Sequence, residues 1–482
     1  MKKHGSVLLR TAFALLGVSF LTVTGAQAQS LTFENHREIK VPEYATLRIG
    51  PLYSMLTFSQ SAGYRYVKTS GADIDFVYDN GMGEIQADGS DFPLISTINM
   101  RNYLLVTKTC DLDLSLNASY EYYPMGTQAD AFTFDLSDEG IYGNLSSEFE
   151  LTDFVKGRVV ERAVYKTDYV DIRGLTDKYG GQQYKHFDNN FSLSLDWLMA
   201  RNDNIAAQLS REDILSMEDG FEEQDRTSYM EDLGYEHRFS KDLVSGVKSA
   251  FTQDSYTSVT NRPDAKSAQL TGFSTWKATD VSVVSAEAGY FVGAATDANM
   301  AYGNEDISGT VGVLSVDTKL AKRLSHLISA GRSAEVGFTS SYDITEFAEY
   351  RLMYKDDYDS GSLFTRYQNV LPSISDLGTY IDWVTGADYR FPLSRIVMLS
   401  LLTEYTIRQN NDYTADVQGE AIPAQYSEDY DTWRTKIGTG FAFTKEIYFD
   451  TYYEHIERIS TVDEMSYSRD ILAATFTYRH EF

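Results

Sequence analysis

A chain of 482 residues with 35 tyrosines and 26 phenylalanines, but one cysteine and 8 prolines, is long enough for one large domain. Its net charge of −28 excludes a generic nucleic-acid binder, because nothing in it would offset phosphate charge, and the lone Cys110 excludes an internal disulfide. No run after Val23 approaches the roughly eighteen apolar residues of a spanning helix, yet a β-barrel escapes that test because only every second residue meets lipid.

The start of the chain predicts export. Lys2, Lys3 and Arg10 precede an apolar stretch from Thr11 to Val23, and Ala26-Gln27-Ala28 supplies a small-x-small cleavage site. Residues 1–28 therefore form the expected signal peptide. Gln29, not a cysteine, would follow the cut, so no lipid anchor is expected there. Residues 29–46 are expected to be a short periplasmic segment, too short for a plug, and residues 47–482 the barrel.

Alternation is clearest in Asp111 to Tyr123, DLDLSLNASYEYY. A period of two means a strand with one oily and one polar face. Thirteen residues exceed an ordinary strand but suit a tilted strand that crosses a bilayer. Leu112, Leu114 and Leu116 are expected to face lipid, and Asp111, Asp113, Asn117 and Glu121 the lumen. The opposite register would put three carboxylates against lipid, at about 2 kcal/mol or less each. The same reasoning puts Phe191, Leu193 and Leu195 in lipid, and Glu148, Glu150, Asp188, Asp196, Arg408, Arg434 and Lys436 in the lumen. Trp197 and Trp276 close downward strands, so they are expected in the periplasmic aromatic girdle. Trp433 opens one and is expected in the outer girdle.

Short polar links near Thr107, Thr152, Ala200, Ser240, Lys277, Leu320, Phe391 and Thr444 alternate with longer ones rich in Asp, Gly, Asn and Ser. Examples of the latter are Asp79 to Phe92, Asp171 to Gln183, Met217 to Arg226 and Gln409 to Asp429. That rhythm predicts an all-β fold: a transmembrane up-and-down antiparallel β-barrel of 16 to 20 strands, even in number, with short periplasmic turns and long extracellular loops. Alternation is weakest around Tyr342 to Tyr358 and Leu363 to Leu371. The last strand, ILAATFTYRHEF, carries Leu472, Ala474, Phe476, Tyr478, His480 and Phe482 on one face. It looks like the C-terminal signature read by the barrel assembly machinery, which makes Phe482 the expected assembly signal.

At residues 47 to 66 the chain reads LRIGPLYSMLTFSQSAGYRY. This L-R-x-G-P start, leading to a Gly-Tyr end, resembles the beta-barrel porin 2 family of Gram-negative outer membranes. Arg65 and Tyr66 stand where that family often has acidic or Asn residues. The resemblance implies a porin-like outer-membrane barrel with no established substrate, and the expected function is a channel for passive diffusion of small hydrophilic solutes. Outer-membrane lipid and lipopolysaccharide are its expected surroundings, with no nucleic-acid partner. An alternative is a structural or adhesive barrel, or one associated with polysaccharide export.

A barrel hydrolase is the remaining class. It needs a base within reach of a nucleophile or water, and His186 with Asp188 two positions on is the one suitable pair. No Gly-rich phosphate loop, metal-spaced Cys/His set or nucleophile elbow is present, so neither an enzyme nor a cofactor or metal is expected. The loop MEDGFEEQDR, Met217 to Arg226, lacks EF-hand spacing and reads as solvated. The acidic excess makes a cation preference the default expectation for the lumen; acids crowded into external loops, with Arg and Lys lining the constriction, would reverse the sign.

Overall fold

The computed structural model describes residues 47–70, 89–107, 110–124, 131–135, 145–170, 182–217, 224–257, 264–295, 306–335, 342–356, 358–372, 379–411, 429–461 and 466–482. The expected signal peptide and the segment 29–46 lie outside them, as does much of each long loop anticipated above.

All described strands join one antiparallel sheet. Gly89–Asp91 and Leu94–Thr107 are two parts of one stave, since both pair with Leu52–Ser70. Ala131–Asp135 and Leu145–Thr152 likewise share the lane between Cys110–Tyr122 and Val155–Val170. Counted this way there are 20 staves, each beside its neighbours in sequence. The sheet closes where Leu52–Ser70 meets Tyr467–Glu481, from Thr57 opposite Glu481 to Ser70 opposite Ser468. Closure matters because an open edge would leave backbone groups unsatisfied in hydrocarbon.

The seam ends in a small device. The strand Leu52–Ser70 begins before its partner's last residue, where the Phe482 N–H donates to the Leu56 carbonyl at 2.9 Å. Below that point Leu47–Ile49 folds back and pairs with Leu52–Ser54, so it continues the lane that the last strand vacates. The reversal turns on Gly50, whose φ of +62° favours glycine, and on Pro51.

Short links lie at one end of the barrel, and five of them share a construction. The hydroxyls of Thr152, Ser240, Thr279, Ser394 and Thr444 each accept from the backbone N–H two residues on, at 3.1 to 3.3 Å. A short hydroxyl side chain thereby satisfies a donor that the tight turn leaves over. A further short turn joins Asp343–Lys355 to Ser360–Pro372, where the Asp356 N–H donates to the Asp359 carbonyl at 2.8 Å.

The staves are mostly 13 to 19 residues long. At about 3.3 Å per residue and a tilt near 45°, even fourteen residues rise about 30 Å, enough to cross a bilayer with some overhang. The outward face carries exposed Leu195, Leu209, Leu233, Leu270, Leu314 and Leu363, among many other large apolar side chains. Exposed apolar surface of that extent, on a closed sheet with no edge, demands a hydrocarbon surround. The protein has the fold of a transmembrane β-barrel.

Candidate functional site

The cross-strand register sorts the side chains into two sets. Asp113 lies opposite Tyr103, and Leu112 opposite Leu104. On the first of these faces lie Asp111, Asp113, Asn117 and Glu121. The same face, followed strand to strand, carries Glu148, Glu150, Asp188, Asp196, Arg408, Arg434 and Lys436. The other face carries Leu112, Leu114, Leu116, Phe191, Leu193, Leu195, Trp197, Trp276 and Trp433. Buried charged groups such as Glu212, Asp254, Glu454 and Arg469 belong to the first face, which is therefore the inner one.

Trp197 sits three residues before Ala200, and Trp276 one before Lys277, both at the end with short turns. Trp433 and Trp383 lie near the opposite end, each with its indole N–H donating to Thr435 or Thr365 at 2.9 Å. All four rings are about half exposed.

Charges on the inner face are matched between neighbouring strands or, for Lys248 and Glu287, across one intervening strand. Lys156 meets Glu150 at 3.3 Å, Arg158 meets Glu148 at 3.8 Å, and Lys248 meets Glu287 at 3.3 Å. Asp111 accepts from the Tyr103 hydroxyl at 3.1 Å and from the Glu148 N–H at 3.1 Å. Glu121 accepts from the Tyr123 hydroxyl at 2.8 Å. Asp196 lies opposite Lys156, and Asn117 opposite Asn99. Along the described strands, acidic and basic inner-face groups alternate in nearly equal measure. The chain's acidic excess lies elsewhere: segments 71–88 and 412–428 hold acids such as Asp73, Asp75, Asp79, Asp412, Asp416 and Glu420, and no Lys or Arg.

The most tightly built inner-face pair is Asp382 with Arg408. Arg408 Nε and Nη2 each donate to a different Asp382 oxygen at 2.6 Å, a fork-to-fork match, and Gln368 adds a third donor at 3.0 Å. Glu454 accepts from Arg434 Nε at 2.6 Å and lies 3.7 Å from Lys436 Nζ. Sequence reasoning named Arg408, Arg434 and Lys436 but missed Asp382, Glu454, Arg458 and Arg469. Strict alternation in TYIDWV places Asp382 on the polar face, which was a readable signal. Its partner was not readable, because the register set by the short turn between Pro392 and Val397 decides it.

His186 and Asp188 do meet, Nδ1 to carboxylate, on the inner face near the long-loop end. His186 is buried there and lies opposite Ser216 and Lys166 in register. Close by, Arg226 Nη2 meets Glu212 at 3.5 Å, and the Ser228 hydroxyl donates to Asp254. The pair is thus part of a wall network in which carboxylates and cations satisfy one another.

No family model matches the chain, and no curated protein does. Among solved structures, the chain is similar to the FrpB iron transporter from Neisseria meningitidis, with 8% identity over 87% of this chain and 81% of that one, and a TM-score of 0.48. It is similar to the copper transporter OprC at 9% identity over 90% and 81% of the two chains, with a TM-score of 0.47. It is also similar to the siderophore receptor PirA from Acinetobacter baumannii at 8% identity over 88% and 80%, with a TM-score of 0.44. Likeness at this level names no ligand and no partner for this chain.

Proposed function

We propose that the barrel is a porin-like channel for passive diffusion of small hydrophilic solutes, of the beta-barrel porin 2 kind. The observation that supports this most is the polar, ion-paired inner face of a 20-stave closed sheet. A barrel of that size encloses a lumen wide enough for water, and a charged wall costs little where water reaches it. In this reading Asp111, Asp113, Asn117, Glu121, Glu148, Glu150, Asp188, Asp196, Arg408, Arg434 and Lys436 line the path. Leu112, Leu114, Leu116, Phe191, Leu193 and Leu195 meet lipid, and Trp197, Trp276 and Trp433 sit at the two interfaces, the outer one facing lipopolysaccharide.

The test is electrical. Purified folded protein added to a planar bilayer should give stepwise, ohmic conductance, because diffusion through a fixed pore needs no energy source. A fully folded barrel that inserts and stays silent would overturn the channel reading in favour of a structural or adhesive role.

A further inference from the structure

The inner wall is balanced as a whole but not from side to side. Six adjacent staves cross the closure, running from Thr379–Pro392 through Val397–Asn411, Tyr430–Ala442, Ile447–Ser460 and Tyr467–Glu481 to Leu52–Ser70. Towards the long-loop end, this sector presents Arg65, Arg408, Arg434, Lys436, Arg458 and Arg469 on its inner face. Among the described residues of the same region the carboxylates, Asp91, Asp382, Glu404 and Glu454, are fewer. Among the described residues of the wall across the lumen the balance leans the other way, with Glu212, Asp232, Glu236, Asp254 and Glu287 against Arg226, Arg238, Lys248 and Lys277.

Tyrosine rings hold these cations in place. Arg408 Cζ lies 4.9 Å from the Tyr380 ring and 5.4 Å from the Tyr430 ring, and Arg458 Cζ is 3.8 Å from Tyr430. Lys436 Nζ is 3.7 Å from the Tyr452 ring. Asp382 fixes the Arg408 fork and Glu454 holds Arg434, while Arg469 donates to Thr69 at 3.1 Å. Arg469 and Arg408 are themselves buried, and Asp382 takes the Arg408 fork, so they brace the wall. Arg65, Arg434, Lys436 and Arg458 form a track ordered before any solute arrives, with little side-chain entropy left to lose on binding. A guanidinium held near a ring keeps fewer orientations, and its planar N–H fork suits the oxygens of a carboxylate or phosphate. Low-dielectric walls strengthen the attraction.

We propose that this sector is a binding track for small solutes that carry an oxyanion, either carboxylate or phosphate. The track's place in a solute path rests on the channel reading; its capacity to bind does not. Calorimetric titration of the folded, full-length barrel in detergent tests it, with succinate, inorganic phosphate and glucose as probes. Saturable binding of succinate or phosphate, with none of glucose, is expected, and whichever anion binds identifies the oxyanion source. Arg458→Gln combined with Lys436→Gln should weaken that binding about ten-fold or more, with heat-modifiable gel mobility showing that the variant still folds. Absence of saturable anion binding by the folded protein, or unchanged affinity in the folded variant, overturns the proposal. If the variant fails to fold, Arg458→Lys and Lys436→Arg serve instead: loss of the planar fork at 458 should weaken binding more than its gain at 436, and the reverse order overturns it. A barrel that binds the anion yet carries no current would sink the channel reading and leave the track standing.

Discussion

Asp382→Ala should destabilise the barrel by about 3–5 kcal/mol, the cost of breaking a buried ion pair from one side. The carboxylate accepts two short bonds from Arg408 and one from Gln368, and both side chains of the pair are less than a tenth exposed. Removing it leaves the guanidinium between Tyr380 and Tyr430 with its two best acceptors gone. The penalty is that of an uncompensated charge rather than of one lost contact. Arg408→Met on top of Asp382→Ala should therefore recover much of the loss, since it removes the stranded charge and keeps apolar volume against the rings. Urea unfolding of the protein in lipid vesicles, followed by tryptophan fluorescence, measures both. A single variant within about 1 kcal/mol of the parent, on the scale of an exposed pair, would show that water reaches this pair freely.

What could be read from the sequence follows from where each constraint sits. Leu112 to Tyr122 carries its facing in its own period, so neither a partner strand nor a loop was needed to infer it. The number of strands was harder, and the trouble lay in Asp343–Lys355 and Ser360–Pro372. There the outward face carries Glu346 and Asn369, which bond one another at 3.5 Å, while Arg332 of the preceding strand meets Glu346 at 3.6 Å. The inner face carries Phe347, Met353, Phe364 and Val370. Polar groups that satisfy each other can stand outside, and apolar ones can pack inside, so alternation fades while the ladder persists. The short turns were visible as polar gaps, but the hydroxyl that closes five of them was not singled out, though Ser or Thr stands at the same place in each. The wall's pairings were beyond reach. Asp382 and Arg408 are separated by a turn and most of two strands, and Arg469 reaches Thr69 across the closure, between the two ends of the sheet. Pairing across such distances depends on register, which a one-residue slip would redirect to the other face.

Two neighbouring positions offer the sharpest test of which face meets lipid. Leu193 and Ser194 are consecutive in Gln182–Ala200 and point to opposite faces, with Leu193 on the side of Trp197. Leu193 lies four residues above Trp197. With a rise of about 3.3 Å per residue and a tilt near 45°, that is about 9 Å above Trp197; with Trp197 at the periplasmic interface, as proposed, Leu193 falls near the middle of an apolar band about 25 Å tall. Leu193→Arg should therefore cost about 2–4 kcal/mol, the penalty for a cation at that depth in hydrocarbon. Ser194→Arg adds the same side chain one residue away, on the face where Arg158 and Gln208 are its register partners. There it should cost less than about 1 kcal/mol, because a hydrated wall lets the guanidinium keep its water. Both variants place the same arginine in the same strand, so its own size and strand propensity are common to the two. Unfolding in urea from lipid vesicles reads both, and heat-modifiable gel mobility confirms that each has inserted. Equal costs, or the larger cost at Ser194, would mean that the apolar face does not meet lipid, and the assignment of the inner wall would fall with it.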